Sequence, residues 1–229
     1  YIYHLIDNDW RLMKTYSEGS ITSSNNTKFG YTVAMNGVGD RVAVTNPIDS
    51  EVYIYDYVNG AWGATYSHLF SLVGLDIAFN ASGDRFIIGD YSTTNGTAYI
   101  YHYDAGSWSL ARTYDGETSG DNYGRSASFD ASGDRVLIGA MGIETSKGGA
   151  YLYSYDYGTN AWPATTTDYD VSFAGVSAND KLGVSVGFTR LGHKALISAY
   201  MFSSVNYGRG YLYEAARSSA TSDIYCNAL

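Results

Sequence analysis

One short pattern occurs five times along this chain, and it restricts the fold more than any compositional total does. Tyr1-Ile2-Tyr3-His4 leads to Trp10, Tyr53-Ile54-Tyr55-Asp56 to Trp62, Tyr99-Ile100-Tyr101-His102 to Trp108, and Tyr151-Leu152-Tyr153-Ser154 to Trp162. A fifth copy, Tyr211-Leu212-Tyr213-Glu214, has no Trp after it, so every tryptophan holds the same place in a unit. A second pattern lies between these copies. It runs from Phe29-Gly30 through Asn36 to Gly39-Asp40-Arg41-Val42-Ala43-Val44, then from Val73-Gly74 through Asn80 to Gly83-Asp84-Arg85-Phe86-Ile87-Ile88. The third copy runs from Tyr123-Gly124 through Asp130 to Gly133-Asp134-Arg135-Val136-Leu137-Ile138, and a degenerate fourth has Leu182-Gly183 and Gly192-His193-Lys194-Ala195-Leu196-Ile197. The turn glycines Gly39, Gly83, Gly133 and Gly192 are 44, 50 and 59 residues apart.

Each unit decodes into strands. Asn36, Asn80 or Asp130 at the start of a turn can bond its own backbone, and the glycine after it can take a left-handed conformation, which predicts a hairpin between the first two strands. The second strand, as in Val42 to Val44 or Val136 to Ile138, is a short continuous apolar run and suits a strand covered on both faces. The third alternates, with Tyr53, Tyr55 and Tyr57 on one face and Ile54 and Asp56 on the other. A turn such as Asn59-Gly60 then leads to a fourth strand begun by the Trp. No stretch carries helical periodicity over three turns. Units of four strands repeating at this period predict an all-β chain and, more finely, a β-propeller of four-stranded antiparallel blades with about 4.5 repeats. The expected layout is a half blade over 1–19, repeats over 28–70, 72–117, 122–170 and 181–214, and a tail or last outer strand over 215–229. Because the opening segment lacks an inner hairpin, the expectation is five blades with one incomplete or part of a larger, seven-bladed ring. Tyr1 as first residue favours a missing N-terminal stretch.

Composition agrees and narrows the partners. The 24 Tyr and 26 Gly against 2 Pro favour short strands and tight turns. Charged residues are only 16% and the net charge is -9, with 14 Lys and Arg scattered along the chain. A phosphate backbone or an anionic membrane surface calls for clustered basic residues, so neither is an expected partner. The single cysteine, Cys226, excludes an intrachain disulfide and leaves a tail thiol or an interchain bond. No 18-residue apolar run exists, so no transmembrane helix is expected.

The Phe-Gly start, the Asn-x-x-Gly-Asp-Arg hairpin, the Val-Ala-Val strand and the Tyr-Ile-Tyr strand with its Trp resemble FG-GAP-type propeller repeats from Tyr1 to about Glu214. The resemblance implies antiparallel blades and a secreted or surface-exposed setting on a cell or virion. It also brings calcium into question, because integrin-like members carry an Asp-rich loop. Calcium takes six to eight oxygens from alternating carboxylates. The turns Asn36 to Asp40, Asn80 to Asp84 and Asp130 to Asp134 are too short and too poor in carboxylates for that, so the variety resembled lacks the calcium loop. No metal and no cofactor are expected.

Positions repeated in every copy point to packing, which is the expectation for Trp10, Trp62, Trp108 and Trp162. His4 and His102 share the slot of Asp56, Ser154 and Glu214, a solvent-facing polar position in this view. Departures from the repeat are better pointers to a ligand. Asp76 replaces a small residue of its unit. The loops between second and third strands vary, which singles out Asn46, Asp49, Asp90, Thr94, Glu144 and Lys147 as candidate ligand-contacting residues. Three sequons, at Asn25, Asn80 and Asn95, are compatible with glycosylation, and Asn80 and Asn95 are expected to be accessible. No nucleophile elbow, metal-spaced histidine cluster or phosphate loop occurs, so no catalytic residue is nominated. The functional expectation is a non-catalytic extracellular binding or adhesion module for protein or glycan partners. The alternatives are a structural subunit of a larger assembly, copies of itself included, and, last, a glycan-acting hydrolase.

Overall fold

The computed structural model describes residues 1–17, 28–63, 67–70, 76–202, 207–215 and 226–228. It is all-β, built as five antiparallel sheets that follow one another along the chain. The first has two strands, β1 (Ile2–Ile6) and β2 (Asp9–Lys14). The second contains β3 (Val33–Met35), β4 (Arg41–Asn46) and β5 (Glu51–Val58), with β6 (Ala61–Trp62) and β7 (Ser67–Phe70) both pairing β5. The third runs β8 (Asp76–Phe79), β9 (Arg85–Asp90), β10 (Thr97–Asp104), β11 (Ser107–Asp115). The fourth runs β12 (Tyr123–Phe129), β13 (Arg135–Ala140), β14 (Gly149–Ser154), β15 (Val171–Ala174), with a single turn α1 (Ile143–Ser146), left-handed from Glu144 on, between its second and third strands. The fifth runs β16 (Leu182–Phe188), β17 (Lys194–Phe202), β18 (Tyr207–Ala215), β19 (Cys226–Ala228).

The hairpins form for the reason the sequence suggests. Asn36 Oδ1 accepts the backbone N–H groups of Gly39, Asp40 and Arg41 at 3.0–3.1 Å, and Asp130 Oδ1 does the same for Gly133, Asp134 and Arg135. Gly39 at φ +82° and Gly133 at φ +79° occupy the left-handed region that a side chain would strain. The Asp of each turn does not pair with the adjacent Arg. Asp40 accepts from Asn36 Nδ2 at 2.7 Å and Asp84 from Asn80 Nδ2 at 2.6 Å. The arginines reach outward instead. Arg41 forks onto Asp56, Arg85 pairs with Asp134 of the next sheet, and both donate to the turn carbonyl of the next sheet, Gly83 or Gly133, at 2.7 Å. Arg135 repeats the link to Gly192 at 3.3 Å.

The core consists of four apolar layers, one between each successive pair of sheets. Val42, Val44, Tyr53 and Tyr55 of the second sheet face Ile2 of the first, while Ala43 and Ile54 face Phe86 and Ile88 of the third. Ile87 and Ile100 meet Val136, Ile138 and Tyr153, and Leu137 and Leu152 meet Ala195 and Ile197. The second strands of the second, third and fourth sheets are thus buried on both faces, and each such aliphatic side chain contributes roughly 1.5–3 kcal/mol. Near the layers' first strands no side chain fits at all. A Cβ on Gly89 would lie 1.9 Å from Gly124 O, and one on Gly139 would lie 2.1 Å from Gly183 O. Sheets therefore approach backbone to backbone at one edge and are spread by Tyr and Trp at the other. Met35, Phe79, Phe129 and Phe188, one from the same register position of four sheets, line a cavity of about 720 Å³.

Several expectations are corrected. Trp62 and Trp162 are buried between sheets and the half-buried Trp108 packs in the layer between the second and third sheets, but Trp10 is 67% exposed. Trp162 does not begin a fourth strand: β15 starts at Val171, beyond the expected end of that repeat at 170. His4 and His102 are half-buried, not solvent-facing. Each accepts the indole N–H of the next sheet's tryptophan through Nε2, at 3.3 Å from Trp62 and 3.1 Å from Trp162.

Candidate functional site

First-to-second strand turns share one end of the sheets, and the second-to-third loops and the sheet-to-sheet connectors share the other. The varied loops all fall at this second end, but the structure brings few of the nominated residues to a surface. Asn46 is buried, bonding Asp49 Oδ2 through Nδ2 (2.8 Å) and accepting Lys28 N–H (3.1 Å) through Oδ1. Asp90 is buried too and accepts from Ser92 N and Oγ. These are corrected to turn caps, the ordinary behaviour of a short polar side chain at a strand end. Thr94 is exposed, and its carbonyl accepts Gly120 N–H at 2.8 Å. Asn80 is 2% exposed with its amide nitrogen on Asp84 and Ser132 O, which corrects the expected accessibility of that sequon. Asn95 is half-buried and donates to Gly116 O at 2.8 Å, and Asn25 lies outside the described residues.

Glu144 is the exception. It borders a cleft of about 220 Å³ together with Glu117, Thr118, Asp121, Tyr123, Ile143, Tyr151, Thr166, Thr167 and Tyr169. The connector between the third and fourth sheets supplies Glu117 and Asp121, α1 supplies Glu144, and the long loop before β15 supplies Thr166 to Tyr169. Tyr151 and Tyr169 meet with ring centroids 5.1 Å apart and interplanar angle 48°, and Tyr123 lies 5.7 Å from Tyr151. Tyr123 shares a 2.7 Å hydrogen bond with the hydroxyl of Tyr153, which is also 2.6 Å from Thr166 O. The aromatic wall is therefore braced from behind. Asp121 Oδ2 accepts Thr118 N–H at 2.7 Å, as Asp180 does for Val176 and Ser177 in the next connector, so its geometry is that of a cap.

The field in the cleft is negative. Burial, then Tyr169, Glu117, Asp121 and Glu144, push the Tyr151 hydroxyl up to about 12, so it remains a neutral donor. Among the described residues no cationic side chain borders the cleft. Lys147, nominated with Glu144, pairs with it from outside at 3.1 Å.

The loop carrying Glu144 is strained. Glu144, Thr145 and Ser146 all have positive φ, of 47°, 56° and 64°. A left-handed non-glycine residue costs on the order of 1 kcal/mol, and a run of three persists only where its surroundings over-determine it. Here Gly142 N–H donates to Asp121 O on one side, while Lys181 and Leu182 donate to Ser146 O and Lys147 O on the other. Gly142 is required, since a Cβ there would lie 1.8 Å from Gly120 O.

Glu117, Tyr151 and Tyr169 were not among the nominated residues. Tyr169 alone had a signal: the 59-residue spacing from Gly133 to Gly192 marks an over-long unit, whose extra loop carries it. Among the described residues no three His, Cys, Asp or Glu converge on a metal position, and no helix is long and apolar enough to cross a membrane. No protein-family model matches the chain, and no curated protein sequence matches it.

Proposed function

We propose that this chain is a β-propeller of FG-GAP type whose second-to-third-loop end is a non-catalytic binding surface, displayed outside a cell or on a virion. The propeller is supported by one cavity that Met35, Phe79, Phe129 and Phe188 line from the same register position, as sheets arranged about a common axis require. The binding reading rests above all on the strained, backbone-clamped loop that holds Glu144 over the Tyr151–Tyr169 pair. Tyrosine faces, threonine hydroxyls and carboxylates suit the apolar ring faces and hydroxyl groups of a sugar residue. A volume of about 220 Å³ suits one such residue or one protruding side chain, not an extended polymer.

A glycan array probed with the intact chain, followed by titration of any hit, tests this. A Tyr169→Ala variant should lose binding by roughly tenfold or more, the scale of losing an aromatic contact. Binding indifferent to Tyr169→Ala and Glu144→Gln would remove the cleft from consideration. Turnover of a glycan that disappears in Glu117→Gln would overturn the non-catalytic reading in favour of a hydrolase.

A further inference from the structure

The Glu144 cleft is lined by residues between Glu117 and Tyr169, all of them described, and its charges do not balance. Three carboxylates border it, those of Glu117, Asp121 and Glu144. Among the described residues the only ion pair they make is that of Glu144, whose Oε2 meets Lys147 from outside at 3.1 Å. Asp121 is 8% exposed and accepts Thr118 N–H through Oδ2, while its Oδ1 meets no donor among the described residues. Neither oxygen of Glu117 meets one there, and the Thr118 hydroxyl has no partner among them. A buried carboxylate with a spare oxygen is costly unless a positive, hydrogen-bonding group reaches it. The aromatic wall welcomes the same kind of group. The Tyr151 and Tyr169 centroids are 5.1 Å apart, so one cation can lie within the roughly 6 Å reach of both rings.

We infer that the sugar residue this cleft accepts is a hexosamine with a free ammonium group, an inference that rests on the binding role proposed above. The ammonium lies against Tyr151 and Tyr169 and donates to Asp121 Oδ1 and to Glu117, the two acceptors that the chain leaves unmet. A ring hydroxyl of the sugar meets Thr118. A neutral hexose would leave the Asp121 oxygen without a charged partner, and an N-acetylated one would add bulk while removing the charge. A lysine side chain carries the same ammonium, but its apolar stem has nothing to offer the threonine hydroxyl, which favours the amino sugar. The volume of about 220 Å³ holds one such residue.

Titration of the intact chain with glucosamine, N-acetylglucosamine, glucose and Nα-acetyl-lysine amide, read by chemical-shift changes in mildly acidic solution that keeps the amines protonated, tests it. Glucosamine should bind roughly tenfold more tightly than either neutral sugar, and added salt should narrow that ratio. Glu117→Gln should bring the ratio towards unity. Asp121→Asn keeps an oxygen for Thr118 N–H and should do the same, and circular dichroism checks that each variant folds. Equal binding of the three sugars, still weakened by Tyr169→Ala, overturns this inference and leaves the binding role standing. A ratio unchanged in both folded carboxylate variants overturns it too. Tighter binding of the lysine derivative than of glucosamine replaces the amino sugar with a protein side chain. Failure of all four probes to bind removes the inference together with the role on which it rests.

Discussion

Asp76 joins two sheets through one atom. Its Oδ2 accepts Ala127 N–H at 2.8 Å, and burial raises its pKa despite that bond, Ile77 N–H and Arg125. An acid whose pKa is raised on folding favours the fold while protonated. Its contribution is whole below the ordinary value of 3.8 and is lost as pH rises through the folded value. Asp76→Asn keeps an oxygen acceptor without the charge, so urea titrations should show a variant whose stability falls less than wild type's on going from acid to neutral pH. Asp76→Ala strands the Ala127 N–H and should cost about 1–3 kcal/mol. At this scale the sequence was legible where chemistry is local. Asn36 and Asp130 form the turns that their spacing from Gly39 and Gly133 implies. It was misleading at Asn46 and Asp90, because a polar residue in a variable loop looks the same whether it faces a ligand or its own backbone, and at Asn80, whose turn-forming role hides the sequon. Glu117 was illegible for another reason: its connector matches the one capped by Asp180, so nothing in the repeat sets it apart, and Tyr169 showed only as part of an over-long unit.

Between elements, two devices join one sheet to the next, and each has its own test. The glycine contacts tolerate no side chain. Gly139→Ala places a methyl group within 2.1 Å of Gly183 O, and such overpacking against backbone should cost about 3 kcal/mol or more. Gly187→Ala, with open space around its Cβ, is the matched control and should stay within about 1 kcal/mol of wild type by thermal melt. The His102–Trp162 bond depends on pH. Burial first, then Arg85, lowers the His102 pKa below 6.5. Stability from this group is present above 6.5 and is lost as pH falls through the folded value, when Nε2 gains a proton and can no longer accept the indole N–H. His102→Gln should flatten the fall in melting temperature between neutral and mildly acidic solution; an unchanged slope would place the titrating group elsewhere. Neither device could be seen in the sequence. The repeated His slot and the repeated Trp were both visible, but they bond across 60 residues, and only the stacking of sheets brings them together.

For the molecule as a whole, contacts run from neighbour to neighbour and stability should be graded along the chain. Hydrogen exchange should be fastest in β1 and β2, which make one two-stranded sheet with an uncovered face, and slowest in β13, buried on both sides. Uniform protection would mean that the sheets open as one unit. The all-β architecture and its hairpin positions were readable from the period alone. The difference between Trp10 and Trp162 was not, because it depends on what stands in front of each sheet and not on the unit itself. The arginine links carry a further consequence. Arg41, Arg85 and Arg135 each reach forward to a glycine carbonyl in the following sheet, never backward. A chain leaving the ribosome therefore completes each donor before its acceptor appears, and every new unit emerges onto a finished template. Synthesis and assembly then proceed in the same direction, and protease protection of stalled nascent chains should rise in steps of one unit.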